Sequence, residues 1–573
     1  MTGPLLSPGY LLLRDAVSTP QSYLTDAALG LTQAAPRALP QDFAVALASK
    51  LVDGGVVVKA LLILGLWLAG YGAARLVRFV LPDAGVAAQC VAVTVAIWNP
   101  YVAERLLQGH WSLLVGYGCL PWVALSVLSL RAPPPNWHSG SESARGCLPE
   151  CHFGGVGALV FWIALAGLTP TGLMLAAVVA LACAVGGGRG RSRRFCATLS
   201  LTAAFGAALP WLVAAMVAPG WAAQTAAQET GVTAFAARAE PGLGTLGSLA
   251  SLGGIWNAEA VPASRTTAFA VLSAAVLLTV VAVGVPLLLR RRAGLPLLAI
   301  AAAAIVVPAL LATGPGLQIV EAAIRAAPGL GVVRDSQKWV ALAMPAYALA
   351  GAATVLTLRP RVPAVATAAV CCAAVVATLP DLAWGVGGQV TSVRYPAGWP
   401  AAAALINADP GPVAVLPVDS MRRFDWAGDA PVLDPLPRWV RADVLSTGDL
   451  VIAGELIPGE GTRAREVQRL LLGGAEAGQL AEAGVRWVVV EGPGSEALAL
   501  PQIYRDPDIA VYAVGGNTPA AEHRTLMLAA HGIWLTLLAG GLAGMSLGRR
   551  RPGQTPHTAG SSRKAGHNPA TSR

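Results

Sequence analysis

The sequence predicts an α-helical polytopic membrane protein of about eleven transmembrane helices, with an extracytoplasmic α/β domain before the last helix. Hydrophobic residues make up 55% of the 573-residue chain and charged residues only 12%, and the mean hydropathy is +0.59, well above that of a soluble domain. Apolar runs of roughly 17–25 residues recur, the length a helix rising about 1.5 Å per residue needs to cross roughly 30 Å of hydrocarbon. Between 384 and 522 that pattern gives way to short strands and amphipathic helices.

Taken in order, spans are expected near 55–77, 84–98, 112–130, 196–217, 266–289, 295–312, 338–357, 362–383 and 525–547. Residues 155–186 are too long for one crossing and short for two, and Thr169-Pro170-Thr171-Gly172 interrupts them with a residue that lacks a backbone donor. Arginine clusters should mark the cytoplasmic side. They occur at Arg75 and Arg78, Arg131, Arg189–Arg194, Arg290–Arg292, Arg359 and Arg361, and Arg549–Arg551. An even number of crossings separates each neighbouring pair only if 155–186 is a hairpin of two short helices, which gives about eleven helices.

That parity leaves residues 1–54 outside, with the loops 99–111, 218–265 and 313–337 between the helices of 55–383, and with the α/β domain 384–522. Helix 523–548 then crosses inward to a basic tail, 549–573. The first 54 residues contain no signal-peptide pattern and no run long enough to span, so either a first helix is encoded upstream, the favoured expectation, or the nearly uncharged N-terminal tail is translocated by the following span. The α/β expectation rests on "PVAVLPV" (412–418) and "VRWVVVEG" (485–492), separated by the amphipathic "TRAREVQRLLLGGAEAGQLAEAG".

The formal net charge of +9 sits at helix ends and in the tail, so it reads as a topology signal and a contact with anionic lipid rather than with nucleic acid. The cysteines lie mostly in apolar runs, where they act as small hydrophobes. Cys147 and Cys151 with His138 and His152 fall in one cytoplasmic loop, but their spacing matches no standard zinc finger.

The candidate chemistry lies in four external segments. "RDAVSTPQSYLTD" carries Asp15 and Asp26; "NPYVAERLLQGHW" carries Glu104, Arg105 and His110; the stretch before Arg265 carries Arg238 and Glu240; "GVVRDSQKW" carries Arg334, Asp335 and Lys338. Ionisable groups at a bilayer edge are costly unless paired or solvated, so carboxylates and cations on one side imply an outward-facing polar cavity. For any one residue, a solvated loop charge is an equal reading, and His110 reads equally as an interfacial packing residue.

An acidic first external loop, further arginine-rich external loops and an extracytoplasmic α/β domain near the end resemble the glycosyltransferases of the C superfold. The Ala-, Arg- and Gly-rich composition is similar to that of actinobacterial arabinofuranosyl- and mannosyltransferases. The resemblance implies a polyprenyl-phosphate-linked sugar donor, a cell-envelope glycan or glycolipid acceptor and a location in the plasma membrane. It implies Asp15 as the acidic residue of the first loop, with Asp26 as runner-up. Glu104, Arg105, His110, Arg238, Glu240, Arg334, Asp335 and Lys338 would hold the donor, and Trp399 and Trp426, if exposed, would stack on the acceptor, core packing being the commoner reading for the tryptophans of this domain. Some enzymes of this type use a divalent metal, so the resemblance admits one. The competing class is a non-catalytic lipid or glycolipid transporter, or a cell-envelope scaffold; a hydrolase lacks any HExxH or GxSxG.

Overall fold

The computed structural model describes residues 1–32, 38–133, 155–217, 231–326, 328–418, 420–452, 454–459, 461–492, 498–517 and 521–548. The cysteine and histidine loop and the basic tail lie outside the described residues. Each expected apolar run is helical: Gly54–Val80, Val86–Ile97, Trp111–Arg131, Val156–Ala166, Pro170–Val185, Arg193–Val217, Phe269–Leu289, Leu295–Leu311, Met344–Leu358, Ala364–Ala377 and Arg524–Gly548. Among the described residues, seven stretches are long and apolar enough to cross a membrane, or nine if two bent pairs each count once. The count of about eleven is therefore not reached. The difference lies in the hairpin, whose helices of 11 and 16 residues rise only about 16 and 24 Å, short of roughly 30 Å. Its break is where the sequence puts it: the Thr169 hydroxyl accepts from the Gly172 N–H at 3.0 Å, with Pro170 opening the second helix.

Apolar tails give helices no reason to prefer one another over lipid, so close packing has to bring them together. Small residues supply it here. Gly118 lies against the carbonyl of Gly65, joining Trp111–Arg131 to Gly54–Val80, and a Cβ on Gly116 would come within 2.8 Å of the Gly172 Cα. Trp111–Arg131 is buried along nearly its whole length and forms the centre of the bundle.

Contacts sort the helix ends into two groups. At one end the Arg131 guanidinium donates to the carbonyls of Arg191 and Gly186, and Arg291 pairs with Asp83 at 3.1 Å. At the other, the Gly54 N–H donates to the Pro20 carbonyl, the Trp98 indole donates to the Leu379 carbonyl at 3.0 Å, and Arg524 pairs with Asp26. The arginine-rich turns and the external segments of the sequence reading thus separate.

The N-terminal segment is not a simple loop. Strands β1 (Tyr10–Leu13) and β2 (Ala16–Val17) form a tight hairpin, and β1 also pairs antiparallel with β3 (Ser392–Val393). The small domain continues with β4 (Val413–Leu416), the hairpin β5 (Met421–Arg422) and β6 (Val432–Leu433), and β7 (Val444–Leu445). A second hairpin, β8 (Leu450–Ile452) and β9 (Glu455–Ile457), is followed by helices Thr462–Leu472 and Ala477–Glu482. Strands β10 (Trp487–Glu491), β11 (Gln502–Arg505) and β12 (Ile509–Ala513) complete it. Its main sheet has the order β11-β12-β10-β4-β7, with β4, β7 and β10 parallel. The two strands read from the sequence both occur, and the amphipathic stretch between them is helical, as two helices broken at 473–476.

Replacing Gly118 by Leu should lower stability in detergent by about 1–3 kcal/mol, the usual cost of overpacking. Gly187, exposed, outside any helix and with open space where a Cβ would go, should accept Ala with no measurable loss. Thermal unfolding of the two variants in parallel checks this.

Candidate functional site

Residues 99–111, expected as a loop, instead form a buried helix. The Asn99 side chain accepts from the Val102 N–H at 3.1 Å, Pro100 occupies the first helical position, and the helix runs to Leu107. Gly109 then turns left-handed at φ +80°, and a Cβ there would meet the Leu13 carbonyl and the Ala16 N–H. This close approach seats the β1–β2 turn directly on residues 108–110, where the Asp15 N–H donates to the Gln108 carbonyl at 3.2 Å.

Within that turn Arg14 also lies in the left-handed region, at φ +48°, a conformation a non-glycine residue holds only when its surroundings impose it. Its guanidinium donates to the carbonyls of Leu107 and Glu259, both at 2.7 Å, and its backbone bonds to Pro431 and Leu433 on either side of the β6 edge. Arg14 is fixed at every atom that turns the chain, and Asp15 is aimed by it.

Asp15 Oδ2 lies 2.9 Å from His110 Nε2 and accepts from Gln108 Nε2 at 3.0 Å. The Gln108 amide is itself oriented by Asn257, whose Nδ2 donates to it at 2.8 Å. On the far side of the ring, Arg105 Nη1 lies 3.0 Å from His110 Nδ1. A guanidinium can only donate, so Nδ1 accepts, and the proton of a neutral ring resides on Nε2, donating to Asp15. Burial pushes the His110 pKa below its ordinary 6.5, outweighing the lift from Asp15, which agrees with a neutral ring. Burial would raise the Asp15 pKa, but the bonds from His110 and Gln108 and the charge of Lys338 hold it below its ordinary value. Asp15 thus remains a carboxylate with one oxygen engaged, and its side chain is 41% exposed.

Arg105 has no exposed side-chain surface. It donates to both carboxylate oxygens of Asp335, at 3.1 and 3.3 Å, and also bonds Gln337. Gln337 donates to Glu104 at 2.9 Å, and the other Glu104 oxygen accepts from the Gly254 N–H at 3.0 Å. Nearby, buried Arg265 pairs with Glu240, donates to Ser251 at 2.7 Å and donates to the Ala270 carbonyl. Lys338 Nζ stands 3.4 Å from Asp335 and keeps about a quarter of its side chain exposed. Burial raises the Glu240 pKa despite Arg265, while Arg105 and Lys338 hold Asp335 far below the usual carboxylate range.

The structure therefore joins Asp15, Glu104, Arg105, His110, Asp335 and Lys338 in one connected cluster. Glu104, Arg105 and Glu240 are enclosed, however, with their side chains bonded to other groups of the chain and without exposed surface. Among the described contacts, Arg238 and Arg334 are bonded to other groups than Asp15 and its direct partners: Arg238 Nε donates to the Ile255 carbonyl, and Arg334 Nε donates to the Gly331 carbonyl while its guanidinium lies 5.0 Å over the Phe235 ring. Asp26 sits apart, accepting from the Ala521 N–H and paired with Arg524, where it ties the N-terminal segment to the last helix. Trp399 is fully buried beside Trp426 and Trp439, with ring centroids 5.9 and 6.2 Å away, and so is core rather than a stacking platform. Trp426 is half-buried in the same aromatic group. Gly109, Arg14 and Gln337 carried no distinct sequence signal; a positive-φ glycine becomes evident only when another strand lies against it. Among the described residues no three His, Cys, Asp or Glu side chains are grouped to hold a metal ion.

No family model, no curated protein and no solved structure matches this chain.

Removing the carboxylate of Asp335 leaves Arg105 buried and uncompensated, so Asp335→Ala should cost about 3–5 kcal/mol in chemical unfolding. Gly109→Ala should lift the β1–β2 turn and lower the melting temperature, although Ala is the better helix former. For pH, a lowered histidine pKa means that the unfolded chain takes up the proton first. The His110 contribution is complete above its unfolded value of about 6.5 and is lost as pH falls through it towards the folded value. Asp15 and Asp335, also lowered, contribute above about 3.8 and lose their share only below it. The stability that His110 contributes should therefore be larger at pH 7.5 than at pH 5, so the difference in unfolding free energy between wild type and His110→Gln should shrink as pH falls from 7.5 to 5.

Proposed function

We propose that this chain is a membrane glycosyltransferase that moves a sugar from a polyprenyl-phosphate donor to a cell-envelope glycan or glycolipid, with Asp15 as general base. The observation that carries this reading is the state of Asp15: one carboxylate oxygen fixed by His110 and Gln108, and the side chain partly exposed near a partly exposed Lys338.

The chemistry needs a base and a cation at a short separation. As the acceptor hydroxyl attacks the anomeric carbon, its proton passes to the Asp15 carboxylate. The bond from that carbon to the phosphate oxygen breaks, and the electron pair leaves on polyprenyl phosphate. Lys338, with Arg238 and Arg334 at the margin, would meet that developing charge. His110 and Gln108 hold Asp15 in line, while Arg105 fixes the tautomer of His110. In this reading the external segments and the small domain face outward across the plasma membrane and the C-terminal tail faces inward.

A lipid or glycolipid carrier is the second reading. It is favoured by the two bent helix pairs, Leu295–Leu311 with Gly314–Ala326 at 95° and Ala364–Ala377 with Pro380–Gly387 at 84°, since broken helices recur in transporters.

Membranes carrying the overexpressed chain and supplied with labelled polyprenyl-phosphate arabinose or mannose should transfer the sugar, and Asp15→Asn should reduce the rate by about 10²–10⁴-fold while still folding and inserting. If wild type transfers from neither donor but moves either lipid across a vesicle bilayer, the carrier reading replaces this one.

A further inference from the structure

A cavity of about 210 Å³ lies between the N-terminal segment and the small domain. It borders Val17 and Trp111, which flank the Asp15 turn and His110, but neither Asp15 nor His110 lines it. From the small domain it receives the chain just beyond β4 and at the end of β7: Val418 and Ser420 on one side, Leu445 and Ser446 on the other. β4 and β7 lie side by side and run parallel, so both lead their carboxyl ends towards the cleft. Open α/β sheets bind their ligands in the crevice outside the carboxyl ends of the strands.

The lining defines what fits. Among the described residues its charged groups are matched: Arg438 pairs with Asp42 at 3.1 Å, and Arg422 pairs with Asp434 at 3.6 Å and with Glu491, behind the wall, at 2.8 Å. An anion entering here would meet arginines already engaged with three carboxylates. The rest of the polar wall is neutral and offers both donors and acceptors, through Ser22, Thr25, Gln41, Ser420, Ser446 and Gln468. Tyr23 and Trp111 add aromatic surface with a polar edge. The volume is below the roughly 300–1,000 Å³ of pockets that take drug-sized molecules.

We infer that this cleft is a binding site for a neutral, hydroxyl-rich ligand of one or two rings, a saccharide unit, held between the small domain and the N-terminal segment. The inference stands on the cleft and does not rest on the transfer reading. The Trp399 group, enclosed in the domain core, plays no part in it.

The test uses the purified full-length chain in detergent, with calorimetric titration of neutral tetrasaccharides (mannotetraose, arabinotetraose and maltotetraose) and of inorganic phosphate. Ser446 is exposed, so Ser446→Trp fills the cleft from its rim without entering the core; Tyr23→Ala is the second variant. At least one tetrasaccharide should bind, at least 10-fold more weakly to Ser446→Trp and several-fold more weakly to Tyr23→Ala, with phosphate failing to compete. No binding by any tetrasaccharide, equal binding by wild type and both variants, or displacement by phosphate would overturn it. Saccharide binding by a chain that transfers no sugar would leave this inference standing and remove only the transferase reading.

Discussion

The enclosed guanidinium of Arg105 is the constraint on which the centre of this molecule depends. A charge removed from water has to be matched almost completely, by opposite charge and by hydrogen bonds, or the fold loses several kcal/mol. Arg105 is matched by Asp335 and Gln337 from one segment and by His110 from its own. Gln337 passes the constraint to Glu104, and Glu104 passes it to the backbone at Gly254. Three chain segments distant in sequence are thereby fixed to one another by polar contacts, in a bundle whose apolar faces would otherwise slide.

Apolar packing acts at a different level. It decides which helices neighbour one another, through glycine contacts such as Gly65 with Gly118, but it does not aim any side chain at the edge of the bundle. The aiming is done by the N-terminal hairpin. Its turn is seated by Gly109, held in a left-handed conformation at Arg14 and joined to the small domain through the backbone at Pro431 and Leu433. The small domain therefore helps to fix Asp15, even though none of its own side chains bonds to that residue among the described contacts.

What the sequence made legible follows from this division. Apolar runs and the break at Thr169-Pro170 give the helices and the hairpin, because hydrophobic length and a missing N–H are local properties. Crossing number was less legible, since an apolar helix of 11 or 16 residues can sit in the bundle without meeting the length for a span. The polar residues of 99–111 looked like a loop because their partners lie more than two hundred residues away, at Asp335 and Gln337. Charge type alone could not separate Asp15 from Asp26. The two differ in what folds against them: a neutral imidazole and an amide for the first, the Arg524 guanidinium for the second.

That difference also governs what each aspartate can do. A carboxylate paired with a guanidinium is held as an anion by a full charge, and taking up a proton costs the pair. One held by neutral donors keeps its orientation while its other oxygen can accept a proton without breaking an ion pair. Arg105 supplies the remaining condition, because by donating to Nδ1 it fixes the imidazole proton on Nε2 and so keeps His110 a donor to Asp15. The deep charge thus acts through a neutral ring, and Asp15 is oriented by Arg105 without being neutralised by it.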